Sequence, residues 1–451
     1  MKTRRLALPF AALALVLAAC GGGGDGGGGG GGGGGESTGT VSYWLWDSNQ
    51  QPAYQACADA FQEANPDITI EITQRGWDDY WATLTTGFAS QTAPDVFTNH
   101  LSKYPEFVAQ EQLVALDDYI EQDSVPTDIY AEGLAELWVG QDDARYGLPK
   151  DWDTVALFYN KTMTDEAGIT EEQMNSLTWN PDDGGTYEEV IAKLSVDENG
   201  VRGNEPGFDK DNVAVYGLGL AGSGGPNGQT EWSMYPTTLG WTHTDQNPWG
   251  THYNFDDPLF QESIAWWHGL IEKGYMPPLE TTVGASVNDT FAAGKAAINT
   301  NGSWMIGTYT GYDGIELGIA PTPEGPEGRK SMFNGLADSI WVGSPRQDAA
   351  WEWVKFLGSK ECQDIVAEAA VVFPAIEESI PAAQAAFEAK GVDVTPFTIH
   401  IDEGSTFLFP ITDNAADIVS IMTPAMDAVM SGQADVSSLS DANEEVNALF
   451  E

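Results

Sequence analysis

The chain has 451 residues, 19 of them Lys or Arg and 68 of them Asp or Glu, and its formal net charge is −49. Such an excess of negative charge repels nucleic acid and anionic membrane surfaces, so neither is predicted as a partner. Apolar and aromatic residues are frequent enough for folded cores, and this length favours two lobes over one.

The N-terminus predicts export and lipid attachment. Basic residues within 2–5 precede an uncharged apolar run, 6–19, which has the length of a signal-peptide core and is too short for a comfortable transmembrane helix. The run ends in Leu17-Ala18-Ala19-Cys20, which resembles the lipobox of bacterial lipoproteins, where the cysteine receives a diacylglycerol. We therefore predict a signal peptide at 1–19 and lipid on Cys20 as the membrane attachment. An ordinary signal peptide followed by a chance cysteine is the alternative.

Almost pure glycine follows the lipidation site, from 21 to 35. Such a segment has no side chains to bury and behaves as a flexible coil. We predict that residues 20–39 form a tether and that the folded body begins near Thr40. Removal of the basic signal segment leaves 16 basic and 68 acidic residues, a net charge of −52.

The start of the body alternates between the periods of strands and helices. The predicted order is strand, helix, strand, helix and strand, at Val41–Trp46, Pro52–Asn65, Ile68–Ile72, Trp77–Ser90 and a buried segment entered at Ala93–Phe97. This alternation predicts an α/β fold, in which helices cover a sheet with parallel neighbouring strands.

Later elements are predicted mainly as helices. One is expected near residue 186, with Thr186 as its cap and Glu189 three positions on, and residues 219–228 are predicted as a loop. Apolar periodicity predicts further helices at Phe260–Lys273, Trp351–Leu357, Cys362–Ala370, Ala415–Met430 and Leu439–Phe450.

Residues 146–161, YGLPKDWDTVALFYNK, resemble a signature of the extracellular solute-binding proteins of ATP-binding-cassette importers. The resemblance is to the carbohydrate-binding branch (family 1), which includes the maltose-binding proteins. Three other segments keep the order of that family: Ala93–Val96, the predicted helix at Phe291–Ile298 with the following Asn301–Trp304, and Ala350–Leu357.

The resemblance implies a two-lobed periplasmic-binding-protein-like fold that closes over ligand. Crossing segments are expected near 147–154, 335–339 and 379–387. Lobe one would hold 40–150 plus 336–382, and lobe two 151–335 plus 383–451. It also implies a monomeric, non-enzymatic receptor on the outer face of the membrane, which captures a sugar, delivers it to the permease subunits of the importer and needs no cofactor or metal.

A sugar presents hydroxyl groups at its edge and C–H groups on its faces, so its site needs hydrogen-bonding groups and aromatic rings. Strand ends, the crossing segments and the expected rim of lobe two supply the candidates. Core packing, turn capping and lobe contacts are the alternative roles for these residues. The candidates are Trp46, Asp47, Asn49, Asn99, His100, Lys103, Asp151, Asp153, Trp232, Tyr235, Trp241, Trp304, Gly335 and Asp413.

Two other classes of function stay open at this point. A secreted carbohydrate-active hydrolase would also carry aromatic residues and paired acids, although no hydrolase motif is found. An adhesive surface protein would bind no small ligand. Residues 197–200 resemble the opening of a calcium loop, but the spacing that follows does not fit an EF-hand.

The body contains two cysteines, Cys57 and Cys362, and the lobes implied by the resemblance place both in lobe one. Exported proteins often pair their cysteines, so a disulfide is possible, and two buried free thiols are the alternative.

Overall fold

A computed structural model describes residues 36–451. The predicted signal peptide, the lipidation site Cys20 and residues 21–35 of the predicted tether lie outside the described residues. Inside this range, each helix is too short or too polar to cross a bilayer.

The strands are short and spread over the whole described range. They are β1 Gly39–Leu45, β2 Ile68–Gln74, β3 Val96–His100, β4 Leu148–Asp153, β5 Val155–Asn160, β6 Val196–Asp197, β7 Val213–Leu218, β8 Ala296–Gly302, β9 Leu317–Pro321, β10 Glu324–Gly325, β11 Gly328–Arg329, β12 Ser331–Ile340, β13 Phe373–Pro374 and β14 Thr406–Leu408.

Helices lie between many of the strands. They are α1 Gln51–Ala64, α2 Trp77–Ser90, α3 Tyr104–Ala109, α4 Asp117–Asp123, α5 Lys161–Glu166, α6 Glu171–Asn175, α7 Gly185–Leu194, α8 Met234–Thr237, α9 Pro258–Glu272, α10 Val287–Ala292, α11 Ile306–Thr310, α12 Gln347–Leu357, α13 Lys360–Ala369, α14 Ile380–Ala389, α15 Thr395–Asp402, α16 Ala415–Met430 and α17 Leu439–Asn447. Single 3₁₀ turns lie at Glu136–Trp138, Leu279–Thr282, Ser303–Met305, Glu377–Ser379, Val436–Ser438 and Ala448–Phe450.

The first sheet has the strand order β13-β4-β12-β3-β1-β2, with β14 paired to β12. The β1 strand runs parallel to both β2 and β3, as the alternating pattern predicts. The late strand β12 lies between β3 and β4 and runs antiparallel to both. The centre of this sheet therefore comes from a segment far along the chain.

The second sheet has the order β6-β7-β8-β5-β9. Its strand β5 starts at Val155, only one residue after β4 ends in the first sheet. The chain thus changes sheets at Thr154, whose hydroxyl donates to the Phe397 carbonyl at 2.8 Å. This fold is the predicted α/β architecture with two lobes.

The structure places the other two expected crossing segments, 335–339 and 379–387, beside the first sheet. The chain leaves β9 at Pro321 and has joined the first sheet by Ser331, so residues 335–339 lie inside β12. Helix α14 packs on α13 and β13 of the first sheet, whereas α15 packs on β9. After α14 the chain turns at Gly391, with a left-handed φ of +77°, and continues into α15 beside β9. It then returns to the first sheet at β14 before α16 enters the second core. The predicted lobe ranges remain a prediction.

The cores explain most of the tryptophans predicted to lie on helices. Trp266 and Trp267 are buried in the core of the second sheet, and Trp351 and Trp353 are buried behind the first sheet. Their burial agrees with the core-packing interpretation. Each indole removes a large apolar area from water, which stabilises both lobes.

Two local predictions are wrong. Thr186 does not cap α7, because Gly184 occupies the cap in a left-handed conformation and the Thr186 hydroxyl accepts a hydrogen bond from the Thr178 amide at 2.8 Å. The segment 291–298 is not one helix. It turns at Gly294, with a φ of +66°, and its last residues enter β8.

The structure joins Cys57 on α1 to Cys362 on α13 in a disulfide, with a Cα–Cα distance of 5.2 Å. Both residues are fully buried. The bond ties two helices that pack together over the same core behind the first sheet.

Candidate functional site

A cavity of about 650 Å³ lies between the two sheets. Residues from the first sheet form one side, which we call the first wall, and residues that follow strands of the second sheet form the second wall. The lining residues are Trp46, Asp47, Ser48, Asn49, Gln50, Trp77, His100, Ser102, Asp151, Trp152, Asp153, Gly224, Asn227, Gly228, Gln229, Thr230, Glu231, Trp304, Met305, Thr308, Asn334, Leu336, Val372 and Phe409.

Half of the predicted ligand residues line this cavity. They come from the end of β1, the end of β3, strand β4 and the turn after β8, and they are Trp46, Asp47, Asn49, His100, Asp151, Asp153 and Trp304. Carboxyl ends of neighbouring parallel strands share one edge of a sheet, which is why separate sequence segments meet here.

The turn after β1 brings polar groups to the first wall. One carboxylate oxygen of Asp47 accepts from the Asn49 amide at 2.7 Å, and the other accepts from Gln50 Nε2 at 3.0 Å. Burial nevertheless raises the pKa of Asp47, since desolvation disfavours its charged form. The turn therefore holds a carboxyl group on the lining of the cleft.

Aromatic rings form the upper part of the first wall. The Trp46 and Trp77 rings meet edge to face with centroids 5.1 Å apart, and His100 lies 5.4 Å from Trp77. Trp77 is 44% exposed although it is large and apolar. Burial lowers the pKa of His100 to about 3, so its ring is neutral at pH 7. This part of the wall offers uncharged flat surfaces to a ligand.

Strand β4 supplies two buried carboxyl groups. Asp151 Oδ1 accepts from the Leu336 amide at 3.2 Å, while Asp151 Oδ2 is buried without a hydrogen-bond partner. Burial raises the pKa of Asp151 to about 7. Asp153 accepts from Asn334 Nδ2 at 3.2 Å, and burial raises its pKa well above the ordinary value. Both groups carry hydrogen-bonding capacity that these contacts leave unused.

Two hydrogen bonds join the walls directly. Gln229 Nε2, on the second wall, donates to Asp153 Oδ1 at 3.1 Å. Asn49 Nδ2, on the first wall, donates to the Thr308 hydroxyl at 2.9 Å. The described conformation is therefore one in which the two walls contact each other.

Trp304 lies in the 3₁₀ turn directly after β8 and lines the cavity. Its indole packs over the backbone of Gly302, where a Cβ atom would overlap the ring. Glycine at 302 therefore allows this ring position, which only the folded structure reveals.

The remaining predicted ligand residues lie outside the cavity. Trp232 and Tyr235 are 0% and 1% exposed in the core of the second sheet. Trp241 is also buried there, with Nε1 donating to the Asn254 carbonyl at 2.7 Å, and it borders a second cavity of about 400 Å³. Apolar packing explains the positions of these three rings. They follow the loop in sequence, but they do not line the cleft.

The polar candidates outside the cavity have other partners. Asn99 is buried and donates to the Ser339 hydroxyl at 3.1 Å, and Gly335 pairs with Trp152 in the sheet. Lys103 Nζ lies 5.8 Å from the centre of the Trp81 ring. Asp413 is exposed and accepts from Gln141 Nε2 at 2.7 Å.

Several lining residues were not predicted from the sequence. Trp77 begins α2 and its exposed ring could not be distinguished from a core residue of that helix. Asn334 lies in the middle of β12, and Phe409 follows β14. Gln229 and Glu231 directly follow the predicted loop, so the glycine cluster was the one signal that pointed towards them.

Two α/β sheets joined by crossing segments, with a polar and aromatic cleft between them, define a two-lobed binding protein. The chain belongs to the family described as bacterial extracellular solute-binding protein, whose model matches residues 46–364. This confirms the family indicated by the resemblance.

Individual relatives are distant. The chain is 22% identical to a putative binding protein of Brucella abortus over 88% of this chain and 90% of the relative. It is 24% identical to the maltotriose-binding protein of Pyrococcus abyssi over 71% of this chain and 62% of the relative. An ABC substrate-binding protein of Listeria monocytogenes in complex with cycloalternan superposes with a TM-score of 0.78 at 18% identity, covering 91% and 98% of the two chains.

Proposed function

We propose that this protein is a lipid-anchored extracellular receptor that captures a carbohydrate of oligosaccharide size and delivers it to the permease subunits of an ATP-binding-cassette importer. The observation that carries the proposal is the cleft itself, where indole rings of both walls lie beside buried carboxyl and amide groups. Relatives named for binding maltotriose and lactose support the ligand class.

The chemistry of the lining suits a sugar. Trp46, Trp77 and Trp304 offer flat apolar faces for the C–H groups of a pyranose ring. Asp151, Asp153 and neighbouring amides offer acceptors and donors for hydroxyl groups. The volume of about 650 Å³ falls in the usual range for small-ligand pockets, which supports a ligand larger than one sugar ring.

Lobe closure is the mechanism that we infer. Ligand contacts on both walls stabilise the closed form relative to the open form, in addition to the bonds between Gln229 and Asp153 and between Asn49 and Thr308. Each of these two hydrogen bonds contributes only about 1 kcal/mol net to closure. The ligand therefore acts as the main contact between the lobes.

The proposal includes the anchor at Cys20. Lipid at one end of a glycine tether keeps the receptor near the importer at a high effective concentration, while the lobes stay free to move. Replacement of Cys20 by Ser should release the protein into the medium with its ligand affinity unchanged. A released protein without affinity would show that anchor and site are not independent.

A thermal-shift screen of mono- and oligosaccharides, followed by calorimetry on each hit, tests the proposal, because a ligand that binds the folded state raises Tm. We expect at least one oligosaccharide to bind and to be recovered intact after prolonged incubation. Recovery of cleaved sugar would favour the hydrolase alternative. Absence of any shift would favour the adhesive alternative.

A further inference from the structure

The charge of the cleft is one-sided. Four carboxyl groups line it, Asp47, Asp151, Asp153 and Glu231, and within residues 36–451 no Lys or Arg side chain lines it. Acidic residues are common throughout this chain, so the number alone decides nothing. What needs explaining is the burial of Asp151 and Asp153, because a buried carboxylate without a positive partner is costly.

The cation closest to these groups is already engaged. Lys150 is 1% exposed, lies 3.5 Å from Asp338 and donates to the Tyr43 and Thr98 hydroxyls at 2.9 Å. Asp338 is equally buried. The ammonium group of Lys150 is thus paired with Asp338 beneath the cleft. The carboxyl groups that line the cleft therefore outnumber the positive charges near them.

Asp151 provides the second, independent observation. It is 2% exposed, it lines the cleft, and its Oδ2 is buried without a hydrogen-bond partner. Buried polar atoms of native proteins are nearly always satisfied, so this oxygen points to a partner that the protein does not itself provide. Burial raises the pKa of Asp151, Asp153, Asp47 and Glu231, and it does so for Asp151 and Asp47 although the charge of Lys150 acts in the opposite direction.

A metal ion does not fit this arrangement. Among the described residues, no three His, Cys, Asp or Glu side chains converge closely enough to hold one. The carboxyls are distributed over both walls, and Trp46, Trp77 and Trp304 line the same cavity. Separated carboxylates and indole faces suit an organic cation, which gains both charged hydrogen bonds and cation–π contacts.

We propose that the cleft selects an amine-bearing, cationic carbohydrate over neutral and anionic carbohydrates of the same size. This inference rests on the proposed function and specifies its substrate class. The ammonium group of the sugar would satisfy Asp151 and its neighbours, while the rings of the sugar would stack on the indoles. An anionic sugar would meet repulsion from both walls.

The test compares matched probes by calorimetry at about pH 7. One set is the glucosamine trimer, its N-acetylated form and the glucose trimer of the same linkage, and a second set uses the galactose-configured trimers. In the set that binds more tightly, we expect the amine-bearing trimer to bind about ten-fold or more tightly than the trimer that carries a hydroxyl group in place of each amine.

Variants then assign the preference to the cleft. Asp151→Asn and, on the other wall, Glu231→Gln should each reduce the ratio of amine to hydroxyl affinity, whereas Asp211→Asn, at an exposed residue outside the cleft, should leave it unchanged. A hydroxyl trimer that binds as tightly as the amine trimer would overturn the inference and leave the proposed function standing. Failure of every carbohydrate to bind would overturn both.

Discussion

The two walls of the cleft are built differently. The first wall consists mainly of groups at strand ends or within strands, such as Asp47 after β1 and Asp151 and Asp153 on β4. The second wall consists of irregular segments, the loop around 224–231 and the turn that carries Trp304. A wall built on strands, with buried carboxyls, therefore faces a wall whose side chains depend on glycine-containing turns.

The largest effect is expected from the second wall. Trp304→Ala removes an aromatic face from the cleft and should weaken carbohydrate binding by about 2–4 kcal/mol in calorimetry. Trp304→Phe, which retains a flat ring, should lose much less. Gly302→Val should resemble Trp304→Ala, because the added side chain displaces the indole. Unchanged affinity in Trp304→Ala would remove this wall from the binding site.

A second prediction concerns the first wall and pH. Because the folded-state pKa of Asp151 is about 7, well above that of an unfolded aspartate, the stability it contributes is fully present below about pH 4 and is lost as pH rises through 7. Asp151→Asn should therefore raise the free energy of unfolding at pH 8, by on the order of 2–4 kcal/mol relative to its effect at low pH. Urea unfolding at several pH values measures this difference. Parallel pH profiles for variant and wild type would refute it.

The contact between the walls should give a smaller effect. Gln229→Ala removes the donor to Asp153 and should cost about 1 kcal/mol of ligand affinity, since the bond forms only when the walls meet. The ligand-free variant should also shift towards the open form, seen as a larger radius of gyration in solution scattering. Gln55→Ala, at an exposed helix position, is the matched control. Equal scattering and affinity would mean that Gln229 does not contribute to closure.

The smallest expected effect is that of salt on stability, which distinguishes the exposed acidic side chains from the buried carboxyl groups of the first wall. Salt screens exposed acidic side chains more than buried ones, so raising NaCl from about 0.05 M to about 1 M should increase Tm by a few degrees. The stability difference between wild type and Asp151→Asn at pH 8 should change little over the same range. If the stability difference between wild type and Asp151→Asn disappeared at high salt, Asp151 would have to be in contact with solvent.

Much of the first wall could be predicted from the sequence. The strand–helix alternation predicts parallel β1, β2 and β3, helix α2 has the predicted bounds Trp77–Ser90, and the strand ends supply Trp46, Asp47 and His100. Local periodicity determines these elements, and parallel pairing then brings their ends together. The α/β fold follows from the same region, whereas the family follows from the resemblance carried mainly by residues 146–161.

The second wall was less predictable, for physical reasons. Trp232, Tyr235 and Trp241 have the composition of a ligand surface, but their rings are buried in the core, while Gln229 and Glu231 face the cleft. Loop composition does not specify which residues point inward. The passages between the sheets are hard to predict for a similar reason, because long-range packing of β12 and α14 determines them.

The position of β12 has a consequence for the order in which the protein can be made. The first sheet lacks its central strand until residues 331–340 are available, and the Cys57–Cys362 bond also waits for the later segment. Long-range pairings of this kind form slowly and late. The nascent chain therefore lacks the central strand of the first sheet until about three quarters of it has been synthesised.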